Sequence, residues 1–228
     1  MTSLRELVQT SKAILLDFDG PVCRLFSAVP APDIAQKIRS FLFERSVSVP
    51  EPMMKEGDPL VLLRWTGGAA PHLLAEVERI QADSEKEAAR LAEPTSGAAE
   101  VIRSSTALGR PVVIVTNNSA EAVETYLDRH ALAASITGIS ARIQGRPDLM
   151  KPDAHLVFKG AEMSAQSASA CVLIGDSPTD MEAAKKAGAH CVGYAKRKTR
   201  ISELSDAGAD SIVQSMESVA DIVTQLKG

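Results

Sequence analysis

The stretch Ala13-Ile14-Leu15-Leu16-Asp17-Phe18-Asp19-Gly20 decides how this chain is read. Four apolar residues in a row meet a turn made of aspartate and glycine. An unbroken apolar run of this length predicts a strand buried on both faces, of the kind found in parallel sheets. Asp17 and Asp19 then stand at the mouth of the sheet, beyond the strand's carboxyl end, where open parallel sheets bind ligands. On these residues alone two readings stay open: a pair of working carboxylates, or a turn that uses Asp and Gly for their backbone tolerance.

Similar runs follow downstream. Val112-Val113-Ile114-Val115 ends at Thr116-Asn117-Asn118, and Cys171-Val172-Leu173-Ile174 ends at Gly175-Asp176. Cys191-Val192, Ser211-Ile212-Val213 and the less marked Ser135–Ile139 complete the strand candidates. Helical patterns lie between them. Asn118-Ser119-Ala120-Glu121 resembles a capping box with Asn118 as the N-cap, and Val123, Tyr126 and Leu127 follow at helical spacing. Ser177-Pro178 opens another helix, with proline at the first helical position and Gly188 as its stop. Val219, Ile222, Val223 and Leu226 form a last amphipathic stripe. Strands alternating with helices predict an α/β fold with a doubly wound parallel sheet.

One interval is too long for that rhythm. Asp17 and Thr116 are 99 residues apart, whereas a strand–helix–strand step takes about 30. The surplus of roughly 60 residues carries helical patterns: Ile34, Ile38, Phe41 and Leu42, then Leu73, Leu74, Val77 and Ile80, with Pro50, Pro52, Gly57 and Pro59 between them. This predicts a helical cap over residues 21–94, inserted into a core made of residues 1–20 and 95–228.

Composition sets the outer limits. The chain has 228 residues, 45% hydrophobic and 24% charged, with a net charge of −4. That suits a packed core and excludes disorder as the main theme. Without a basic field, nucleic acid is not an expected partner. Cys23, Cys171 and Cys191 form no CxxC pair, so neither a disulfide framework nor a zinc site is expected. No run approaches the ~20 apolar residues of a membrane helix, and Ala13–Leu16 is too short for a signal-peptide core. The expectation is a cytoplasmic protein with no membrane partner; the oligomeric state is left open.

Four short motifs carry the chemistry. They are Asp17-Phe18-Asp19-Gly20, Thr116 at a strand end, Lys151-Pro152-Asp153, and Gly175-Asp176-Ser177-Pro178-Thr179-Asp180. Three directly follow strand candidates. Asp180 stands three residues after Ser177, so it also fits the acidic position of a capping box. In this order the four resemble the haloacid dehalogenase superfamily, nearest to its phosphoglycolate-phosphatase-like members, from Ile14 to about Val213.

That resemblance implies a Rossmann-like core with a helical cap and a Mg²⁺-dependent phosphatase acting on a small phosphorylated metabolite. It implies Asp17 as nucleophile, forming an aspartyl-phosphate, and Asp19 as general acid and base. Mg²⁺ would be held by Asp17, the Asp19 carbonyl and Asp176, with Asp180 behind them orienting bound water. Lys151 would supply fixed positive charge, and Thr116 a hydrogen bond to a phosphoryl oxygen. Gly20, Asn117 and Arg24 would stand near the substrate; Arg64, Trp65 and His72 are further cap-side candidates. Phosphoryl transfer from a monoester needs these parts: an in-line nucleophile, cations and an acid for the leaving group. The second aspartate, absent from the family's dehalogenases and phosphonate-cleaving members, points to phosphomonoesters. The alternatives are a phosphotransferase such as a sugar-phosphate mutase, or a non-catalytic module that binds a phosphorylated ligand. Lys196-Arg197-Lys198 with Arg200 reads as a solvated loop, and Cys23 as a buried filler.

Overall fold

All residues of the apolar runs 13–16, 112–115 and 171–175 are buried, and they pair side by side in parallel. The computed structural model describes residues 3–226. In chain order its elements are α1 (Leu4–Thr10), β1 (Ala13–Leu16), β2 (Cys23–Arg24), α2 (Ala31–Glu44), α3 (Glu51–Lys55), α4 (Pro59–Ala69), α5 (Leu74–Leu91), β3 (Glu93–Pro94), α6 (Ala98–Ala107), β4 (Val112–Val115), α7 (Ala120–Arg129), β5 (Gly138–Ser140), α8 (His155–Met163), β6 (Cys171–Gly175), α9 (Pro178–Ala187), β7 (His190–Tyr194), α10 (Arg200–Asp206), β8 (Ser211–Val213) and α11 (Met216–Gln225).

Six strands form the main sheet in the order β5-β4-β1-β6-β7-β8. Counted along the chain, that is the 3-2-1-4-5-6 order of the Rossmann fold. β1 is central, with Leu16 in register with Ile114 on one side and Ile174 on the other. The strand order reverses beside β1, so the crevice for a ligand opens at its carboxyl end. Side chains alternate across the sheet. Ile14 and Leu16 join Val101, Tyr126 and Val223 of α6, α7 and α11 on one face. Ala13 and Leu15 join Val157 and Ala184 of α8 and α9 on the other. Burial on both faces is why the strands lack polar alternation.

The long interval is helical, as its spacing predicts. α2, α4 and α5 enclose a separate apolar cluster that includes Ile34, Ile38, Leu42, Leu62, Leu63 and Val77. The antiparallel ribbon of β2 and β3 pairs Cys23 with Pro94 and brings the two ends of the insertion together. α5 joins the two clusters: Val77 lies in the insertion's cluster, while Ala88 and Ala89 lie in the main one.

Two sequence expectations need correction. The N-cap of α7 is Ser119, which accepts a hydrogen bond from the Ala122 amide; Asn118 is engaged elsewhere. The fifth strand is Gly138–Ser140 rather than Ser135–Ile139, because residues 133–135 form a 3-10 turn. The capping box of α9 is complete, with Ser177 and Asp180 bonded reciprocally and Gly188 closing the helix at φ 74°. Among the described residues no helix is long and apolar enough to cross a membrane.

Candidate active site

β1 delivers Asp17 into a buried position at the centre of the sheet edge, 8% exposed. Facing it is Lys151, 2% exposed, from the loop before α8. Its Nζ donates to Asp17 Oδ1 at 2.8 Å and to the Val115 carbonyl at 2.8 Å. The same Nζ stands 2.5 Å from Asp180 Oδ1. One ammonium therefore bridges two carboxylates from different strand ends. Asp180 Oδ2 accepts from the Ser177 amide at 3.0 Å and the Ser177 hydroxyl at 2.7 Å. Asp180 thus caps α9 and at the same time faces the site.

Asp17, Asp176 and Asp180 offer carboxylate oxygens that all lie within 4.8 Å of one another. Two glycines make room for this crowding. Gly20 has φ 105°, and a Cβ there would stand 2.5 Å from Asp176 Oδ2. A Cβ on Gly175 would stand 2.4 Å from the Asp180 side chain. Asp19 turns its Oδ1 to the Leu25 amide at 2.8 Å.

The electrostatics follow from crowding and burial. Burial, then Asp180, pushes the Asp17 carboxyl up to about 7, against the pull of Lys151. Burial raises Asp19 to about 6, opposed by the Leu25 amide. Burial, then Asp17 and Asp180, raises Asp176 to about 8. Burial works against the Lys151 ammonium, but Asp17 and Asp180 outweigh it and hold its pKa above the ordinary value. Three clustered carboxyls, two of them on one ammonium, leave acidic oxygens in excess in a poorly hydrated place. A hard, oxygen-seeking divalent cation such as Mg²⁺ fits this donor set.

The other sequence-predicted residues fall into two groups. Thr116, Asn117 and Arg64 line a cavity of about 380 Å³ with Asp17, Asp19 and Lys151. Thr116 is fully buried; its one hydroxyl proton goes to Asn118 Oδ1 at 2.9 Å and its oxygen accepts from the Asn118 amide at 3.1 Å, so here the proton serves the loop and not the phosphoryl oxygen that the resemblance implied. Asn117 clasps the Lys151 backbone, accepting from its amide at 2.8 Å and donating to its carbonyl at 3.0 Å. The Arg64 guanidinium of α4 donates to that same carbonyl, so the insertion touches the loop that carries the lysine. Arg24 pairs with Glu93 on the β2–β3 ribbon and faces a separate cavity of about 270 Å³ behind Asp19, Gly20 and Asp176. Trp65 packs against the insertion's apolar cluster, and His72 is exposed. Cys23 is buried. Lys196, Arg197 and Lys198 are exposed, while Arg200 donates to the Asp176 carbonyl at 2.7 Å.

Sequence reasoning missed Glu85 and Arg142. Their side chains are 0% and 4% exposed, and they form an ion pair with nitrogen–oxygen distances of 2.9 and 3.1 Å. A signal was present: Glu85 falls on the buried face of α5 with Val77, Gln81, Ser84 and Ala88.

A Rossmann-ordered sheet with carboxylates and a buried lysine gathered at the carboxyl end of its central strand defines an α/β enzyme with a carboxylate-based site. The chain belongs to the haloacid dehalogenase-like hydrolase family, whose model matches residues 11–188. Solved structures agree on the fold. A hydrolase from Pseudomonas syringae superposes with a TM-score of 0.68 at 18% identity, covering 94% of this chain and 98% of that one. CbbY from Rhodobacter sphaeroides, in complex with phosphate, gives 0.66 at 19% identity over 92% and 96%. A β-phosphoglucomutase-like protein from Thermotoga maritima gives 0.62 at 19% identity over 94% and 99%. No curated protein matches the chain.

Proposed function

We propose that the protein is a Mg²⁺-dependent phosphatase that hydrolyses a small phosphomonoester through a phosphoryl group carried on Asp17. The observation that carries this reading is Lys151 Nζ held between Asp17 and Asp180, with Asp176 and Asp19 at the same cavity. Asp17 and Asp176, with the Asp19 carbonyl, would hold the cation, and Asp180 would stand behind them. When bound, Mg²⁺ supplies charge neutralisation between carboxylate and phosphate oxygens.

The chain's own residues divide the remaining work. The Lys151 ammonium fixes one Asp17 oxygen, leaving the other to attack phosphorus. As the phosphorus–oxygen bond to the leaving group breaks, Asp19 gives that oxygen its proton. Its pKa of about 6 leaves about a tenth of it protonated at pH 7, enough to act as an acid and later as a base. Asp19 then takes a proton from water, the water oxygen attacks the phosphoryl group, and Asp17 and inorganic phosphate are released. Lys151 remains protonated throughout, which suits a fixed charge and not a proton shuttle. The insertion, with Arg64 and the partly buried Phe26 and Leu60 on the cavity wall, would exclude water and contact the leaving group.

The test is phosphate release from a panel of small phosphomonoesters, with Mg²⁺ and with chelator. Metal-dependent release is expected. Isomerisation of a sugar phosphate that requires a bisphosphate, without net release, would make the protein a mutase. Binding without turnover would make it a phospho-ligand module.

A further inference from the structure

We infer that Glu85, on the helix that ends the insertion, is a positioning residue for the phosphoryl-binding side of the site, acting through Asn118 on Thr116. The inference rests on the phosphatase reading for its consequence, but on geometry for its existence. Glu85 is fully buried, and apart from Gln81 on its own helix its polar contacts are to Asn118 and Ser119 after β4 and to Arg142 after β5. Its Oε1 accepts from Asn118 Nδ2 at 3.2 Å, from Gln81 Nε2 at 2.8 Å and from Arg142 Nη1 at 2.9 Å. Its Oε2 accepts from the Ser119 amide at 2.9 Å and from Arg142 Nη2 at 3.1 Å. The carboxylate is ionised: burial raises its pKa, but Arg142, Gln81 and the Ser119 amide outweigh that and hold it low.

An ionised carboxylate accepts hydrogen bonds and cannot donate them. It therefore requires the NH₂ end of the Asn118 amide, which forces the carbonyl end toward Thr116. That carbonyl takes the Thr116 hydroxyl proton, and the Asn118 backbone amide donates to the same hydroxyl. The Thr116 oxygen is thus fixed from two sides by a residue whose orientation Glu85 dictates. Arg142 extends the hold, donating to the Asn117 carbonyl at 2.7 Å, and Asn117 in turn clasps the Lys151 backbone. One carboxylate from the insertion so sets both the hydroxyl and the lysine that flank Asp17. Small displacements of such groups can slow chemistry by up to a hundredfold.

The decisive variant replaces the ion pair as a whole, E85M together with R142M. Replacing both partners by apolar residues of similar volume avoids stranding a buried charge, so folding should persist. The expected result is a folded protein with a thermal midpoint below the parent's, because the Gln81, Asn118 and Ser119 donors lose their acceptor, with KM for a phosphomonoester within about twofold and kcat lowered on the order of tenfold to a hundredfold. Thr116→Val should cost much less in this background than in the parent, because coupled residues are not additive. The backbone amides of Asn118 and Ser119 should exchange with deuterium faster. Parental kcat in the paired variant, or an equal cost of Thr116→Val in both backgrounds, would overturn the inference. If the paired variant does not fold, Asn118→Leu cuts the same link and carries the same expectations. If the parent hydrolyses nothing, the phosphatase reading fails by itself. Amide exchange at 116–119 then decides the inference alone, unchanged exchange in the variant overturning it.

Discussion

At the scale of single residues, the site stores a conflict that metal and pH should reveal. Asp17, Asp19 and Asp176 start from an ordinary carboxyl value of 3.8 and are held near 7, 6 and 8 in the fold. Between about pH 4 and pH 8 the folded protein therefore binds more protons than the unfolded chain, and stability falls as pH rises through that window. Glu85 has the opposite sign, but its lowered pKa acts below its ordinary value of 4.5 and does not mask the trend. In chelator, the thermal midpoint should drop from pH 5 to pH 8. Mg²⁺ should raise it more at pH 8 than at pH 5, since the cation binds the ionised carboxylates. A midpoint that is flat with pH, or a Mg²⁺ effect larger at pH 5, would contradict this. These carboxylates were legible because each stands directly beyond an apolar run. Glu85 and Arg142 were not. Glu85 sits in a helix rich in charge and alanine, and a sequence does not disclose that its partner waits 57 residues away.

At the scale of elements, the turns after β1 and β6 do the positioning. The turn after β6 shows how one hydrogen-bond pattern serves two ends. Ser177 caps α9 and at the same time holds Asp180 Oδ2, so the first turn of the helix and the site are built from the same contacts. Ser177→Ala should cost about 1 kcal/mol of stability, as a lost N-cap does. It should also lower the affinity for Mg²⁺, because Asp180 loses the hydroxyl that aims it; chemical denaturation and metal titration read the two effects separately. Unchanged metal affinity would reduce Ser177 to a cap. The capping box of α9 was readable from Ser177, Pro178 and Asp180 because serine, proline and acid fill successive positions of one turn. The cap of α7 was misplaced by one residue because Asn118 and Ser119 are both good caps. Asn118 is drawn away at both ends of its amide: its Oδ1, the atom a cap would use, takes the Thr116 hydroxyl, and its Nδ2 donates to Glu85. The fifth strand was likewise misplaced, since Ser135–Ile139 offers little apolar continuity and the ladder to Val113 begins at Gly138.

At the scale of the whole molecule, the order of strands and motifs was recoverable because a parallel sheet buried on both faces writes itself as unbroken apolar runs. The division of the chain is a proposal of the same origin: residues 21–94 as a cap over the rest. The separate apolar cluster of the insertion supports it, while α5 and the Arg64 contact to Lys151 tie the two parts together. Leu63→Ala should cost about 2–5 kcal/mol. Amide exchange should rise across residues 31–73, with β1 and β6 still protected; equal loss of protection in both would contradict a cap that opens by itself. The most direct test of the phosphatase reading is the mass of the protein quenched in acid during turnover of a phosphomonoester with Mg²⁺. The parent should carry one added phosphoryl group on the peptide that contains Asp17, and Asp17→Asn should carry none and release no phosphate. Turnover that survives in Asp17→Asn, with no phosphoryl group found on the parent, would contradict the reading.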